Sequence, residues 1–426
     1  MLTIRTYKES LYLMKNATKT LDFLPEEQLI YKKFLPTIKK IESKDKVINE
    51  WDIPSTIKDL SYLVHSHYRY YGKFPSVVAG QILEQIPPPS KEHYVLDNFC
   101  GSGTTLVEAE LRGIKAFGLD ISWLSVLASN VKISSVKIAD IRSELLKLVS
   151  WFENNKDLYS SPSDSFAEKW FEETAARDLL VIQKYLFEMP NSKVKDFLVV
   201  AYIAIVRRVS KAHDGEVRPH INKKKKQREV IAAFSKKVND MCSDHEDYQS
   251  YINSKVESKC LLGDNLNLPS KFNDKKCYLA ISHPPYLNSF NYAAVFNLEF
   301  YWGQVFEEQY SDNEIKLYKT EMKAHPATES ITEKYFSHLK RCYEETYRIQ
   351  DEGAYLAIVI GDCTRKGELV PVLDKTIEIV EKIGYTLHEL NYRTTHFGLG
   401  KYAYSHRADY HGDAEEKKDG ILIFRK

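Results

Sequence analysis

Two short stretches of this chain carry residue types that could do chemistry. The first is Asp97-Asn98-Phe99-Cys100-Gly101-Ser102-Gly103-Thr104-Thr105, two glycines two apart, directly after the apolar run Tyr94-Val95-Leu96. Glycine lets a chain turn sharply and approach a ligand with no Cβ in the way. The second is His283-Pro284-Pro285-Tyr286, directly after Cys277-Tyr278-Leu279-Ala280-Ile281-Ser282. Two prolines fix φ and remove backbone donors, so this tip is stiff and ends on an aromatic face. The glycine turn suits a nucleoside-type ligand, and the tip suits the gripping of a flat base.

A glycine pair by itself is equally an ordinary strand-to-helix turn. Asp120 changes the balance. It ends the next apolar run, Ala116-Phe117-Gly118-Leu119, where a carboxylate about 20 residues past the turn can accept both hydroxyls of a ribose. The turn is shorter than the dinucleotide fingerprint G-x-G-x-x-G and lacks the Gly-Lys-Ser/Thr of a phosphate loop. A ligand with ribose but no pyrophosphate fits, and S-adenosyl-L-methionine is the expected cofactor. Asp97 is then placed for the ammonium of its methionine part, and Asp264 for its adenine amino group.

These residues need elements to position them. Strand 94–96, helix 104–112 and strand 116–119 make one βαβ unit, which argues for an α/β fold with a parallel sheet. Residues 123–255 read as a helical insertion, with helices over 124–132, 138–152, 166–187, 194–209 and 227–241. The sheet resumes with strands over 260–264, 277–281 and 354–362, and helices are expected over 331–349 and 369–383. Residues 385–395 and 420–425 read as a late antiparallel pair. Upstream, an amphipathic helix over 77–86 stops at Pro87-Pro88-Pro89. Residues 1–60 read as mixed helix and loop with no chemical signature.

At this point the residues resemble a known family. Asp97 to Thr105 resembles the cofactor motif "DPFCGSGTT" of class I S-adenosylmethionine-dependent DNA amino-methyltransferases, the cytosine-N4 and adenine-N6 group. His283-Pro284-Pro285-Tyr286 resembles their (Asp/Asn/Ser)-Pro-Pro-(Tyr/Phe) catalytic motif. Tyr71-Gly72-Lys73-Phe74-Pro75 resembles the motif that covers their cofactor, and the motif order matches over residues 60–426. The resemblance implies a Rossmann-like class I methyltransferase fold, mostly parallel and seven-stranded with an antiparallel edge pair, plus a helical insertion. It implies a catalytic domain over 61–122 and 256–426, with 123–255 as a DNA-binding or target-recognition region and 1–60 unassigned. It implies cofactor contacts by Tyr71, Lys73, Phe74, Pro75, Asp97, Phe99, Gly101, Gly103, Thr104, Thr105, Asp120, Ile121, Asp264 and Asn265.

The family's catalytic logic follows from the amine. Its lone pair is delocalised into the ring, and acceptors held at its two N–H bonds localise it. The resemblance gives those acceptors as His283 and the Pro284 carbonyl, with Pro285 stiffening the tip and Tyr286 stacking on a base flipped out of the duplex. Two departures stand out. Asn98 replaces the usual proline, a mild change. His283 replaces Asp, Asn or Ser, a serious one, because neutral imidazole offers one acceptor nitrogen and imidazolium none. The continuation Leu287-Asn288-Ser289-Phe290 resembles the Ser type, so cytosine N4 is slightly favoured. An adenine-N6 enzyme, a structured-RNA methyltransferase and a catalytically impaired nucleic-acid-binding homologue remain rivals.

Composition sets the frame. The 426 residues are 43% hydrophobic, enough for one large domain with an insertion. No apolar run approaches the roughly 18 residues of a membrane span, and Met1-Leu2-Thr3-Ile4-Arg5 lacks a signal peptide's apolar core. The six cysteines are scattered singly, so neither a zinc site nor a disulfide framework is expected, and a cytoplasmic setting follows. His213, His220 and His406 have no partners at ligand spacing, so no metal is expected. Net charge is only +1, yet residues 193–230 hold 11 Lys or Arg against 4 Asp or Glu. Such a run is either a solvated loop or a track for a phosphate backbone. Arg207, Arg208, Lys223, Lys224, Lys225, Lys226, Arg228, Phe290 and Tyr292 are the expected contacts to double-stranded DNA. The loop 397–407, rich in glycine, aromatic and basic residues, is a further candidate. A cognate restriction endonuclease is a candidate partner.

Overall fold

The computed structural model describes residues 35–41, 47–53, 59–252, 256–309, 321–394 and 419–426. The candidate loop 397–407 lies outside them. The strands are β1 (Thr37–Ile41), β2 (Val47–Asp52), β3 (Tyr94–Asp97), β4 (Ala116–Asp120), β5 (Lys259–Leu262), β6 (Cys277–Ser282), β7 (Tyr355–Gly361), β8 (Cys363–Arg365), β9 (Glu368–Val370), β10 (Thr386–Thr394) and β11 (Asp419–Arg425). The helices are α1 (Ser76–Gln85), α2 (Thr104–Leu111), α3 (Trp123–Lys132), α4 (Ile138–Asn155), α5 (Ser165–Trp170), α6 (Glu173–Glu188), α7 (Lys193–Val209), α8 (Val230–Tyr251), α9 (Tyr292–Val295), α10 (Asn297–Gly303), α11 (Glu329–Ile349) and α12 (Val372–Ile383).

Nine strands form one sheet, in the order β1-β2-β10-β11-β7-β6-β3-β4-β5. β5, β4, β3, β6 and β7 run parallel. β11 lies antiparallel to both β7 and β10. These seven strands form the mostly parallel sheet with an antiparallel pair that the resemblance implies. Alternation along each strand builds two cores, because successive side chains leave a strand on opposite faces. Val95 packs with α1 and α2 on one face, and Tyr94 and Leu96 pack with α11 and α12 on the other. Leu96, Leu279 and Ile281 are fully buried, worth roughly 1.5–3 kcal/mol each.

The structure departs from the sequence reading in four places. Residues 37–41 and 47–52 form paired strands where the sequence predicts helix and loop: β2 joins β10 in parallel and β1 pairs antiparallel with β2. The signal for that strand lies far along the chain, in a buried Asn49 amide that donates to Asn391 at 2.7 Å. The single helix expected over 166–187 is two. Phe171 is extended (φ −129, ψ 152) and buried, and it breaks the run without a glycine or proline. α8 starts at Val230 and runs on to Tyr251, because Val238, Met241, Cys242, His245 and Tyr248 continue its buried stripe. α12 begins at Val372 because residues 363–370 form the small hairpin β8–β9, turning at Lys366 and Gly367, both at positive φ.

Between β4 and β5 the described chain is mostly helical, and its longest loop is 210–229. Its core joins α3, α4, α6, α7 and α8 to Val295, Phe296, Leu298 and Trp302, which follow the Pro-Pro tip. Gln183 of α6 donates to the Trp302 carbonyl at 2.8 Å. The helical region thus braces the segment that carries the tip. No helix of the described residues is long and apolar enough to cross a membrane.

Candidate active site

The glycine turn and the Pro-Pro tip leave neighbouring strands, β3 and β6, and open on one cleft. Gly103 caps α2 at φ +76, and a Cβ there would lie 2.8 Å from the Ser129 side chain, so only glycine starts the helix in this place. The Gly101 N–H donates to Asp120 Oδ2 at 2.8 Å and the Ser122 N–H to Asp120 Oδ1 at 2.9 Å. Asp120 therefore clamps the turn to the end of β4 while lining the cleft. Asp97 lies beneath the turn, accepting the Phe99 N–H at 3.1 Å and the Thr105 hydroxyl at 2.5 Å.

Asp97 is buried and Asp120 half-buried, and neither has a cationic partner among the described residues. Burial pushes Asp120 up to about 7, helped by Asp97 and Glu321 and opposed by the Ser122 and Gly101 amides. Burial pushes Asp97 up to about 6, opposed by the Thr105 hydroxyl and the Phe99 amide. Asp264, Asn265, Ile121, Phe99, Gly101 and Thr104 also line the cleft. Asp264 Oδ1 accepts the Leu266 N–H at 2.9 Å. Asn98, at the family's proline position, ties the turn to its surroundings: its amide donates to Thr346 Oγ1 at 3.2 Å, and its carbonyl accepts from Asn265 at 3.1 Å.

The covering segment alternates. Tyr70, Gly72 and Phe74 line the cleft, whereas Tyr71, Lys73 and Pro75 point elsewhere. Tyr71 donates to the Glu216 carbonyl at 2.8 Å. Lys73 is bound to the His65 carbonyl at 2.9 Å, and burial brings its ammonium down to about 8. Pro75 is the extended N-cap of α1. Of the expected covering residues, the structure thus places Phe74 on the cleft, beside Tyr70 and Gly72, and turns Tyr71, Lys73 and Pro75 away from it, because the chain turns at Tyr71-Gly72 with Gly72 at φ +70.

At the tip, His283 and Pro285 line the cleft. The His283 ring stacks on Phe74 with centroids 5.0 Å apart and planes at 19°, and meets Tyr286 edge-on at 5.4 Å. The Tyr335 hydroxyl donates to the Pro285 carbonyl at 2.9 Å and pins the tip from behind. Pro284 is buried. Ser282 is fully buried with its hydroxyl 3.3 Å from that of Tyr343, away from the cleft, so it does not stand in for the family's serine.

The expected DNA contacts divide. Arg207 is buried, 3.6 Å from Glu299, and donates to the Tyr71 hydroxyl and to the carbonyls of Glu216, Val217 and Val295. It is an internal strut, its guanidinium turned onto protein groups. Lys225 is likewise tied to the Arg207 and Ala212 carbonyls and to Asp214. Arg228 pairs with Asp214 at 2.9 Å. Arg208, Lys223, Lys224 and Lys226 are exposed. Tyr292 stands in the cleft wall, stacked on Tyr70 at 5.8 Å, and Phe290 meets it edge-on at 6.5 Å. Among the described residues no group of three or more His, Cys, Asp or Glu could hold a metal ion.

No family model matches the chain. It is 25% identical over 249 residues to the Type II methyltransferase M.MvaI of Kocuria varians, covering 53% of this chain and 54% of that protein. It is 22% identical over 442 residues to the Type II methyltransferase M.BsoBI of Geobacillus stearothermophilus, covering 83% and 86%. A match to the Type II methyltransferase M.MjaII of Methanocaldococcus jannaschii is 30% identical over 136 residues, 30% of this chain and 24% of that protein. The chain thus spans about half the length of the Kocuria varians relative.

Several residues of the cleft carry no motif. Ser102 lines it, and its buried hydroxyl has no hydrogen-bond partner among the described residues. Phe296 stacks on Tyr70 at 5.4 Å and extends the aromatic wall. Glu321 lines the cleft and accepts the Tyr292 N–H at 3.0 Å. His338 lies 3.2 Å from Asn265 Oδ1. Only Ser102 sat inside a recognisable pattern, between the two glycines.

Proposed function

We propose that the protein transfers a methyl group from S-adenosyl-L-methionine to an exocyclic amino group of a base in DNA, with cytosine N4 favoured over adenine N6. The observation that carries this reading is the composition of the single cleft shared by turn and tip. Asp120, Asp264 and Glu321 line it, and none of its described lining residues is Lys or Arg. Such a lining repels phosphates and favours a cationic nucleoside. The similarity to Type II methyltransferases supports DNA as the substrate and restriction–modification or a related defence as the setting. A cognate endonuclease would be the partner in that setting.

When bound, S-adenosylmethionine supplies an electrophilic methyl group on a sulfonium. The chain's own residues do the rest. Asp120 keeps lone pairs for the ribose hydroxyls beyond the two amides it already holds. Asp97 lies beneath the turn for the ammonium, directly or through water, and Asp264 accepts from the adenine amino group. On the other side, the unprotonated ring nitrogen of His283 and the Pro284 carbonyl accept the two N–H bonds of the target amine. Tyr286 gives the flipped base a stacking face. The His283 nitrogen then takes the proton that the amine loses. Phe74 and Tyr286 fix the imidazole plane, and most of the rate gain is positioning of this kind.

Incorporation of labelled methyl groups into duplex DNA and into tRNA tests the reading. Methylation of DNA by the wild type, lowered at least about 100-fold in His283→Ala, is the expected result. Methylation of tRNA alone would overturn it, and wild-type inactivity restored by His283→Ser would mean that the histidine had silenced the site.

A further inference from the structure

Tyr70 and Tyr71 face different spaces. Tyr70 faces the cleft, and Tyr71 faces a second groove that also takes in Arg69, Arg208, Arg228 and Asp214, so the two share one wall. Four arginines and two carboxylates line this groove. Arg207 is spent on Glu299 and Arg228 on Asp214. Among the described residues, two cations of the groove, Arg69 and Arg208, form no ion pair. The Arg69 guanidinium lies 4.7 Å over the Tyr71 ring and donates to the Asp214 carbonyl. Arg208 is exposed, and no carboxylate of the described residues pairs with it.

We infer that this groove binds the phosphodiester backbone of the DNA strand whose base enters the cleft, with Arg69 and Arg208 as the phosphate contacts. The inference rests on the DNA reading above. A planar guanidinium presents a fork of donors that matches phosphate oxygens, and stacking on an aromatic ring holds the fork in place before binding. The loop that supplies Asp214 and Arg228 also carries exposed Lys223, Lys224 and Lys226, which extends the positive surface beyond the groove. Arg207 couples groove to cleft: it holds Tyr71 and the Val295 carbonyl together, one residue before Phe296 of the cleft wall. A backbone seated in the groove is thereby registered against the tip.

Binding of a short fluorescein-labelled duplex, followed by anisotropy over a salt series, tests this. Each phosphate contact removed lowers the slope of log affinity against log salt by about 1. Arg69→Gln and Arg208→Gln are each expected to show that loss, equally on unrelated sequences, with S-adenosylmethionine affinity by calorimetry unchanged. Wild-type slopes in both variants would overturn the groove and leave the methyltransferase reading intact, provided the wild type methylates DNA. A wild type that neither binds nor methylates DNA would overturn both. Arg208 is exposed and makes no ion pair among the described residues, so its variant reports binding even if Arg69→Gln loosens the loop.

Discussion

Asp120 sits between two demands. The fold buries its carboxylate against the Gly101 and Ser122 amides, and the proposed cofactor needs it ionised. Aspartate in an unfolded chain titrates near about 3.9, whereas here burial lifts Asp120 to about 7. Between those values the folded state holds the extra proton. Stability from this group is therefore present at low pH and is lost as pH rises through 7. Ribose hydroxyls and a cationic ligand favour the carboxylate, so binding expels the proton and weakens as pH falls below 7. Asp97, raised to about 6, adds to the effect at lower pH. Calorimetry near about pH 6.5 in buffers of different ionisation enthalpy should show net proton release. Asp120→Asn should release less, and proton uptake by the wild type would contradict the assignment.

At the scale of elements, the active site depends on braces that reach it from outside the motifs. Arg207, in the last turn of α7, holds the loop at Glu216 and Val217 and the end of α9. Removing one partner of a buried ion pair costs about 3–5 kcal/mol, because the other charge stays buried. Arg207→Ala should lower unfolding stability in urea by that amount, whereas Arg208→Ala should stay within about 0.5 kcal/mol of wild type. Equal stabilities would show that Arg207 is not the strut described. The sequence reading put these adjacent arginines together as DNA contacts, because a helix C-terminus with two cations looks the same whichever one turns inward. Tyr71 and Lys73 turn away from the cleft for a similar reason: a motif identifies a segment but not which of its side chains face the cleft. What was legible was what local pattern controls. Strands β3 to β7, α2 and the glycine turn follow from apolar runs, glycine placement and Asp120. The β2 strand was illegible because its partner β10 lies more than 300 residues away and meets it through Asn49 and Asn391.

Taken whole, the molecule keeps its charges apart. A net charge of +1 conceals an acidic cleft at the C-terminal ends of β3, β4, β5 and β6, and a basic groove and loop beside it. The parallel sheet sets this separation, since turns at one end of adjacent strands bring Asp97, Asp120, Asp264 and His283 into one place. The helical region between β4 and β5 shares its core with the segment after the tip, so the helices beside the basic surface pack directly against that segment. A cationic nucleoside in the cleft and a polyanion outside it are the ligands that this arrangement separates. The central claim is the identity of the methyl acceptor, and mass spectrometry of nucleosides from duplex DNA incubated with the protein and S-adenosylmethionine tests it most directly. The account predicts N4-methylcytosine. A methyl group on a ring carbon, or no methylated nucleoside at all, would contradict it.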